Sequence, residues 1–175
     1  VKESLFNIIN NKIEDSIVLD LFAGSGAIGI EFLSRGCKKA YMCDKSRNAV
    51  KFIIDNLKRT RLQEDAIIIN KDYAKCLNEL KNNKIKFDII FLDPPYDLDI
   101  SKEAVKLILE YKLLNENGII IIETDEKERE LRNLKTMNVN IKNLNLSVIM
   151  PAITKSGQLV CNDRVPSKED KVEHT

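Results

Sequence analysis

The chain has 175 residues, enough for one domain with a substantial core, and 43% of them are hydrophobic. Its 28 basic and 27 acidic residues leave a net charge of +1, so overall charge neither indicates nor excludes a nucleic-acid partner. No apolar run approaches the roughly 20 residues that span a bilayer, and Val1-Lys2-Glu3 does not begin a signal peptide, so we expect a cytoplasmic protein without membrane contact.

The cysteines and the histidine provide no recognisable metal-ligand set. Four cysteines occur without C-x-x-C spacing, and the single histidine, His174, stands next to the last residue. We therefore expect reduced thiols and no bound metal.

Short apolar runs alternate along the chain with segments whose apolar residues recur at helical spacing. Residues 2–10 have the pattern of a helix. Nearly continuous apolar runs, typical of parallel strands covered on both faces, predict strands at 16–21, 40–44, 66–70, 87–92 and 119–123. Helices are predicted between them at 27–34, 47–60, 74–81 and 102–111.

The pattern weakens after residue 123. A short charged helix is predicted at 126–134 and a further strand within 139–150, whereas 166–175 is polar, without periodicity, and predicted to be disordered. The alternation indicates an α/β protein, with a doubly wound, mostly parallel sheet in a single domain over 1–150. An atypical, partly disordered tail is expected at 151–175.

Acidic residues follow successive predicted strands at the point where each strand ends. Residues 20–26 follow the first strand, Asp44 ends the second, Asp72 follows the third and Asp93 follows the fourth. Because ligands of such sheets bind at the carboxyl ends of the strands, we expect a binding site at this edge.

The segment DLFAGSGAIGIE, residues 20–31, contains the glycine spacing of a dinucleotide fingerprint, and Asp44 lies 20 positions after Gly24. However, Asp20 stands just before the glycine turn, where a carboxylate disfavours a pyrophosphate. It suits a cofactor that bears a sulfonium and an ammonium group, such as S-adenosylmethionine. Gly24 and Gly26 would let the backbone approach that cofactor closely.

Several side chains are candidate contacts for the cofactor. Asp44 would accept hydrogen bonds from the ribose hydroxyls and Asp72 from the adenine amino group, with Phe22 and Lys45 beside them. Structural alternatives stand next to these roles: Asp44 or Asp72 as the cap of the helix that follows it, and Asp20 as a solvated strand end.

A second motif, Asp93-Pro94-Pro95-Tyr96, ends the fourth predicted strand. Two consecutive prolines fix an extended, rigid loop. Asp93, also a candidate cofactor contact, and the Pro94 carbonyl could accept both N–H bonds of a planar exocyclic amine while Tyr96 stacks on the base. The structural alternative is a proline-terminated strand with a packed tyrosine, which the matching glycine turn upstream disfavours. A nicotinamide enzyme, the other alternative, explains neither Asp20 nor residues 93–96.

These motifs together resemble those of amino methyltransferases that act on exocyclic nitrogens of nucleic-acid bases. More narrowly, VKESLFNII (1–9), DLFAGSGAIGIEFLSRG (20–36) and FLDPPY (91–96) resemble the bacterial 16S ribosomal RNA guanine-N2 methyltransferase family, over residues 1–145. The resemblance implies a Rossmann-like methyltransferase fold and methyl transfer from S-adenosylmethionine to the 2-amino group of a guanine.

The same resemblance implies ribosomal RNA as the partner, in the small subunit or its assembly intermediate, and a segment around 3–7 that helps to close the cofactor pocket. We expect a monomer. Two features depart from the family: the basic segment that usually precedes the equivalent of Val1, and the Tyr-Gly pair and last apolar strand near the end, which this sequence lacks.

Two other functions remain open from the sequence. A DNA adenine-N6 methyltransferase would use the same proline loop, since adenine also has an exocyclic amine, although the compact chain shows no domain for reading DNA sequence. A non-catalytic, cofactor-binding ribosome-assembly factor would need the glycine turn but not the amine-binding loop.

Overall fold

The computed structural model describes residues 2–95, 98–123, 145–149 and 163–164. In these ranges the helices are α1 (Lys2–Ile9), α2 (Ala27–Ser34), α3 (Arg47–Thr60), α4 (Tyr73–Asn82) and α5 (Leu98–Glu110). The strands are β1 (Ile17–Asp20), β2 (Lys39–Cys43), β3 (Ala66–Ile69), β4 (Phe87–Leu92), β5 (Leu114–Glu123), β6 (Asn145–Ile149) and β7 (Asp163–Arg164). Short 3-10 turns cover Asn10–Lys12 and Gln63–Asp65.

All seven strands form one sheet in the order β3-β2-β1-β4-β5-β6-β7. Every neighbouring pair is parallel except β6 with the two-residue β7, which is antiparallel. The chain moves outward from β1 to β3, then crosses back to place β4 on the other side of β1. The predicted doubly wound, mostly parallel sheet is therefore confirmed, and its topological switch point lies between β1 and β4.

Helices cover both faces of the sheet and form two separate apolar clusters. On one face α4 and α5 pack through buried residues such as Leu77, Leu80 and Ile108. On the other face α1, α2 and α3 contribute one cluster of Phe6, Phe32, Ile53 and neighbouring residues. Burial on both faces explains why the strands are nearly continuous apolar runs.

The first helix is anchored by aromatic and cationic contacts. The ring of Phe6 meets Phe32 of α2 edge-on, with 4.7 Å between ring centroids, and the Arg35 guanidinium lies 4.8 Å from the Phe6 centroid. This contact fixes α1 against α2, and so beside the chain segment that connects β1 to α2.

Helix boundaries predicted from apolar spacing agree closely with the structure. Both α2 and α3 begin and end where predicted. In contrast, α5 begins four residues earlier, at Leu98, where Asp99 in the first turn favours the helix N-terminus. Predicted features at 126–134, and most of the tail at 151–175, lie outside the described residues, whereas β6 falls within the strand predicted at 139–150.

Strand β5 also begins earlier than predicted, at Leu114, because its pairing with β4 is interrupted by an irregularity. Leu114 pairs with Phe87 and Ile119 with Ile89, so four residues of β5 stand opposite the single residue Asp88 of β4 and form a bulge. The half-buried Asp88 stabilises this end of the sheet: it accepts hydrogen bonds from the Ile17 amide at 2.8 Å and from Asn115 Nδ2 at 3.0 Å. The sequence Asn-Glu-Asn-Gly at 115–118 is typical of a turn, so this part of the strand was not predicted.

Among the helices in the described ranges, none combines the length and the apolar character needed to cross a bilayer.

Candidate functional site

Four carboxylates meet at the carboxyl ends of adjacent strands. Asp20 is the last residue of β1, and Glu123 is the last residue of β5. Asp44 directly follows β2, and Asp93 directly follows β4. Because β2, β1, β4 and β5 are neighbours in the sheet, the four residues lie along one edge, and the charges of the other three raise the pKa of Asp20. Sequence reasoning identified three of them but missed Glu123, which it treated only as the end of an apolar strand.

Asp20 is the buried member of this site and lacks a partner. Its side chain is 1% exposed, and neither carboxylate oxygen has a hydrogen-bond partner among the described residues. Burial, opposed by the nearby Gly29 amide and assisted by the neighbouring carboxylates, raises the pKa of Asp20 to about 7. The Gly29 amide lies near the carboxylate but makes no hydrogen bond of normal geometry with it. The alternative of a solvated strand end is wrong, and a cationic ligand would supply the missing partner.

The glycine turn after β1 has the backbone conformation that its sequence predicts. Gly24 and Gly26 have φ angles of 56° and 81°, in the left-handed region that glycine adopts without strain. A Cβ atom at Gly24 would meet nothing within 4 Å, so the space above this residue is open to a ligand. A Cβ atom at Gly26 would lie 3.2 Å from Ile53 of α3, so this glycine also allows close packing.

Asp44 connects the glycine turn to the start of α3. Its two carboxylate oxygens accept hydrogen bonds from the amides of Gly24, at 2.9 Å, and Ser46, at 2.8 Å. The N-cap of α3 is Ser46 itself, whose hydroxyl accepts from the Ala49 amide at 3.2 Å. Asp44 is therefore not the helix cap, and its oxygens keep lone pairs for another donor.

The neighbouring Lys45 belongs to the same fixed loop. Asn70 Nδ2 donates to the carbonyl oxygens of Asp44, at 3.0 Å, and Lys45, at 3.2 Å. The Lys45 side chain is exposed beside the turn. Hydrogen bonds from Asn70, directly after β3, and from the glycine turn therefore fix the loop after β2.

Asp72 is the N-cap of α4. Its carboxylate accepts from the Lys75 amide at 3.0 Å, and its second oxygen lies 3.9 Å from Lys75 Nζ. The capping role is therefore present in the structure, and contact with an adenine amino group remains a prediction.

Phe22 is half-buried and packs against the first residue of α4. Its ring centroid lies 5.7 Å from that of Tyr73, and the Tyr73 hydroxyl donates to the Glu103 carboxylate of α5. Sequence reasoning missed Tyr73 and Glu103. The only available signal was an aromatic residue directly after the predicted Asp72 loop.

The proline loop begins beside Asp20. The Leu21 amide donates to the Phe91 carbonyl at 3.1 Å, which keeps the ends of β1 and β4 adjacent. Asp93 is exposed, Pro94 is half-buried, and partial loss of water around Asp93 raises the pKa of its carboxyl group. Tyr96 lies outside the described residues, so its stacking role remains a prediction.

The described cysteines are free and buried in the core. They are Cys37, Cys43 and Cys76. The Cys43 thiol donates to the Lys71 carbonyl at 3.2 Å, and its interaction with the Cys76 side chain together with burial raises the pKa of the Cys43 thiol. Within the described ranges, no His, Cys, Asp and Glu residues are arranged to hold a metal ion.

Comparison with known proteins connects this site to a family. The family described as Conserved hypothetical protein 95 matches residues 1–149. "Putative rRNA methyltransferase YlbH" of Bacillus subtilis is 39% identical over 127 residues, which is 73% of this chain and 69% of that protein. "Ribosomal RNA small subunit methyltransferase D" of Haemophilus influenzae is 36% identical over 132 residues, covering 75% of this chain and 67% of that protein.

A solved structure of a similar chain also carries the name of a methyltransferase. The "Putative methyltransferase yhhF" from Escherichia coli superposes with a TM-score of 0.63 at 30% identity, covering 68% of this chain and 65% of that chain. The resemblance to ribosomal RNA methyltransferases, found in the motifs, is confirmed by these relatives.

The buried carboxylate of Asp20 makes stability depend on pH. Its pKa rises from 3.8 to about 7 on folding, so between these values the folded chain binds more protons than the unfolded chain. The free energy of unfolding should therefore fall as pH increases through this window, by up to about 4 kcal/mol from this residue. Asp20→Asn stays neutral and should be more stable than wild type at pH 8, while the difference shrinks at pH 4.

Urea unfolding of both proteins at pH 4, 6 and 8 measures this effect. Asp55→Asn, which neutralises an exposed carboxylate, is the matched control and should change stability by less than about 0.5 kcal/mol. Parallel stability curves for wild type and Asp20→Asn would show that Asp20 does not retain a proton in the folded chain.

Proposed function

The chain belongs to the family described as Conserved hypothetical protein 95, and from this premise we propose that it methylates the 2-amino group of a guanine in small-subunit ribosomal RNA. It is a methyltransferase by its relatives, two of which are named for ribosomal RNA. The choice of guanine and of its 2-amino nitrogen is the finer part of the proposal, and it rests on the three motifs that resemble guanine-N2 methyltransferases.

The methyl donor is S-adenosylmethionine, the cofactor of methyltransferases that share this fold. When bound, this group supplies an electrophilic methyl on a sulfonium, next to an ammonium. The observation that carries the proposal is the buried, unpartnered carboxylate of Asp20 below an open glycine turn. An anion without a partner fits a cationic ligand and disfavours a pyrophosphate.

The remaining cofactor contacts follow the order of the strands. We assign Asp20 to the cationic end of the donor, Gly24 and Gly26 to close backbone approach, and Asp44 to the ribose hydroxyls. Phe22, Lys45 and Asp72 lie around the same edge, on loops that follow β1, β2 and β3. Asp44 is well suited because its two hydrogen bonds to backbone amides hold the carboxylate in place without using all its lone pairs.

The loop after β4 is assigned to the target base. Asp93 and the Pro94 carbonyl are rigidly placed acceptors for the two N–H bonds of an exocyclic amine, and we assign the stacking contact to Tyr96. Holding both hydrogens orients the nitrogen lone pair toward the methyl group. Positioning of this kind supplies much of the rate in reactions without covalent catalysis.

Mass spectrometry of the reaction product tests this function. Unmodified 16S rRNA, free and assembled with small-subunit proteins, is incubated with the chain and S-adenosylmethionine and digested to nucleosides. We expect N2-methylguanosine. Methyladenine in a parallel reaction with DNA would favour the rival DNA methyltransferase, and cofactor binding without any product would favour the non-catalytic assembly factor.

Two substitutions separate cofactor contacts from structural roles. Asp44→Ala should weaken binding of S-adenosylhomocysteine by roughly 1–3 kcal/mol, because the ribose loses a charged acceptor. Turnover at saturating cofactor should change much less. Calorimetric affinity equal to that of wild type would leave Asp44 only as the connection between the glycine turn and α3.

Asp72→Ser is the complementary variant. Serine preserves the N-cap of α4 and removes the carboxylate, so stability should be maintained within about 0.5 kcal/mol. Weaker binding of S-adenosylhomocysteine would then reflect lost contact with adenine, and unchanged binding would reduce Asp72 to its capping role.

Asp93 tests the chemistry rather than the binding. Asp93→Ala should leave the affinity for S-adenosylhomocysteine nearly unchanged and reduce the methyl-transfer rate about a hundredfold or more, the usual loss for one preorganised polar contact. Asp93→Asn should be nearly as damaging, because its NH2 group can face the substrate N–H.

Single-turnover kinetics with bound rRNA measures this step. Glu116→Gln, which changes an exposed carboxylate in the β5 bulge at the other end of the sheet, serves as the control. Wild-type rates in both Asp93 variants would remove the proline loop from the reaction.

A further inference from the structure

Positive charge is concentrated in one segment, α3 with its flanking residues 45–61. This segment contains six basic residues and one acidic residue, Asp55, for a net charge of +5. Because the whole chain has a net charge of +1, all other residues together carry −4. The net charge of the whole chain is therefore close to zero although this one segment is strongly basic. The basic residues are Lys45, Arg47, Lys51, Lys58, Arg59 and Arg61.

The six basic side chains are all exposed, and none forms an ion pair with a described residue. Elsewhere on the surface, basic residues do pair, as Lys71 with Glu79 at 2.7 Å and Arg35 with Glu31 at 2.8 Å. Like charges one turn apart, such as Arg47 and Lys51, destabilise an isolated helix by roughly 0.2–0.5 kcal/mol. Lys58 and Arg59 lie in the last turn, where positive charge favours the helix dipole, but Arg47 and Lys51 in the first half of α3 have no such role in helix stability.

Three of these residues lie along one side of the helix. Arg47, Lys51 and Lys58 occupy positions i, i+4 and i+11, and the buried Ile53 and Leu57 lie on a different side of the helix. At 1.5 Å per residue the three side chains extend over about 16 Å. Since α3 begins directly after the β2 end that carries Asp44, this basic row starts beside the acidic site and runs away from it.

An exposed aromatic residue accompanies the basic row. Phe52 is 62% exposed, and Arg59, seven residues later, lies on the same side of the helix. A large apolar side chain surrounded by solvent contributes nothing to the core. An exposed ring on the same helix as these basic residues is suited to stack on an unpaired nucleobase.

We propose that the exposed face of α3, defined by Arg47, Lys51, Phe52, Lys58 and Arg59, binds the RNA substrate beside the target nucleotide, a step that rests on the proposed function. The basic residues contact phosphates and Phe52 stacks on a base. The acidic site cannot attract RNA by its own charge, because the carboxylates at the strand ends repel a polyanion. A separate positive surface that begins at the edge of the site resolves this conflict.

The double variant Lys51→Ala/Lys58→Ala tests the surface without touching residues assigned to the cofactor or base. Binding of a fluorescently labelled 16S rRNA fragment is measured by anisotropy at several salt concentrations. We expect affinity to fall on the order of tenfold and the salt slope to decrease by about one to two, because two phosphate contacts are lost. Phe52→Ala should also weaken binding while leaving the salt slope unchanged.

The matched control is Lys38→Ala/Lys86→Ala. Both lysines are exposed and stand directly before β2 and β4, at the end of the sheet opposite the site. This variant loses the same charge and should bind the fragment within about twofold of wild type. An equal loss of affinity in both double variants would show that only total charge matters, and would overturn the proposal.

Kinetics and folding controls complete the experiment. In Lys51→Ala/Lys58→Ala the KM for rRNA should rise in parallel with the loss of affinity, whereas kcat and the affinity for S-adenosylhomocysteine stay unchanged. Urea unfolding should show an intact fold, since alanine is favoured at exposed helix positions. If the variant keeps the wild-type KM and salt slope while rRNA is methylated, α3 does not bind RNA and the proposed function stands. If the α3 variant loses RNA affinity and salt slope but wild type yields no methylated guanine, the surface stands and the proposed function fails.

Discussion

A carboxylate without a partner lies at the end of β1, the strand around which the sheet reverses direction. Burying such a group is costly. The apolar clusters on both faces of the sheet stabilise the fold and so offset the cost of burying Asp20. The surrounding carboxylates increase this cost by their own charge. The arrangement of carboxylates around Asp20 thus lowers the stability of the fold, as is common at functional sites, and is consistent with the positively charged ligand that we propose.

The loops around Asp20 are held by the protein itself. The Ala23 amide donates to the Cys43 carbonyl at 2.8 Å, and the Asp44 amide donates to the Ile69 carbonyl at 3.1 Å, so the loops after β1 and β2 continue the hydrogen bonding of the sheet. The Asp44 carboxylate also connects the two loops, because it accepts hydrogen bonds from the amides of Gly24 and Ser46. These bonds join the loops to the sheet and to each other and so hold the residues of the site in place, which favours affinity and precise positioning.

The sequence predicts those parts of the molecule that depend on local chemistry. Continuous apolar runs identified the parallel strands, and glycine spacing identified the turn at Gly24. In contrast, the role of Glu123 depends on β5 lying next to β4, and the contact between Phe22 and Tyr73 depends on α4 starting beside the glycine turn. Such long-range proximity has no local signal. Asp72 shows the converse case, because its capping role and a ligand contact require the same residue at the same position, so the sequence alone cannot separate them.

Two regions of opposite charge lie next to each other along the β2–α3 connection. The acidic strand ends suit a cationic donor, whereas a nucleic acid carries negative charge on every nucleotide, so one surface cannot attract both. Separating the charges by the start of a helix lets each ligand meet a favourable potential while the reacting groups stay adjacent. Because only a few phosphates can be contacted by a helix face about 16 Å long, the electrostatic attraction is moderate and salt-sensitive. In the proposed function a modified RNA can then dissociate, and discrimination between nucleotides falls to the acceptors that we assign to the proline loop.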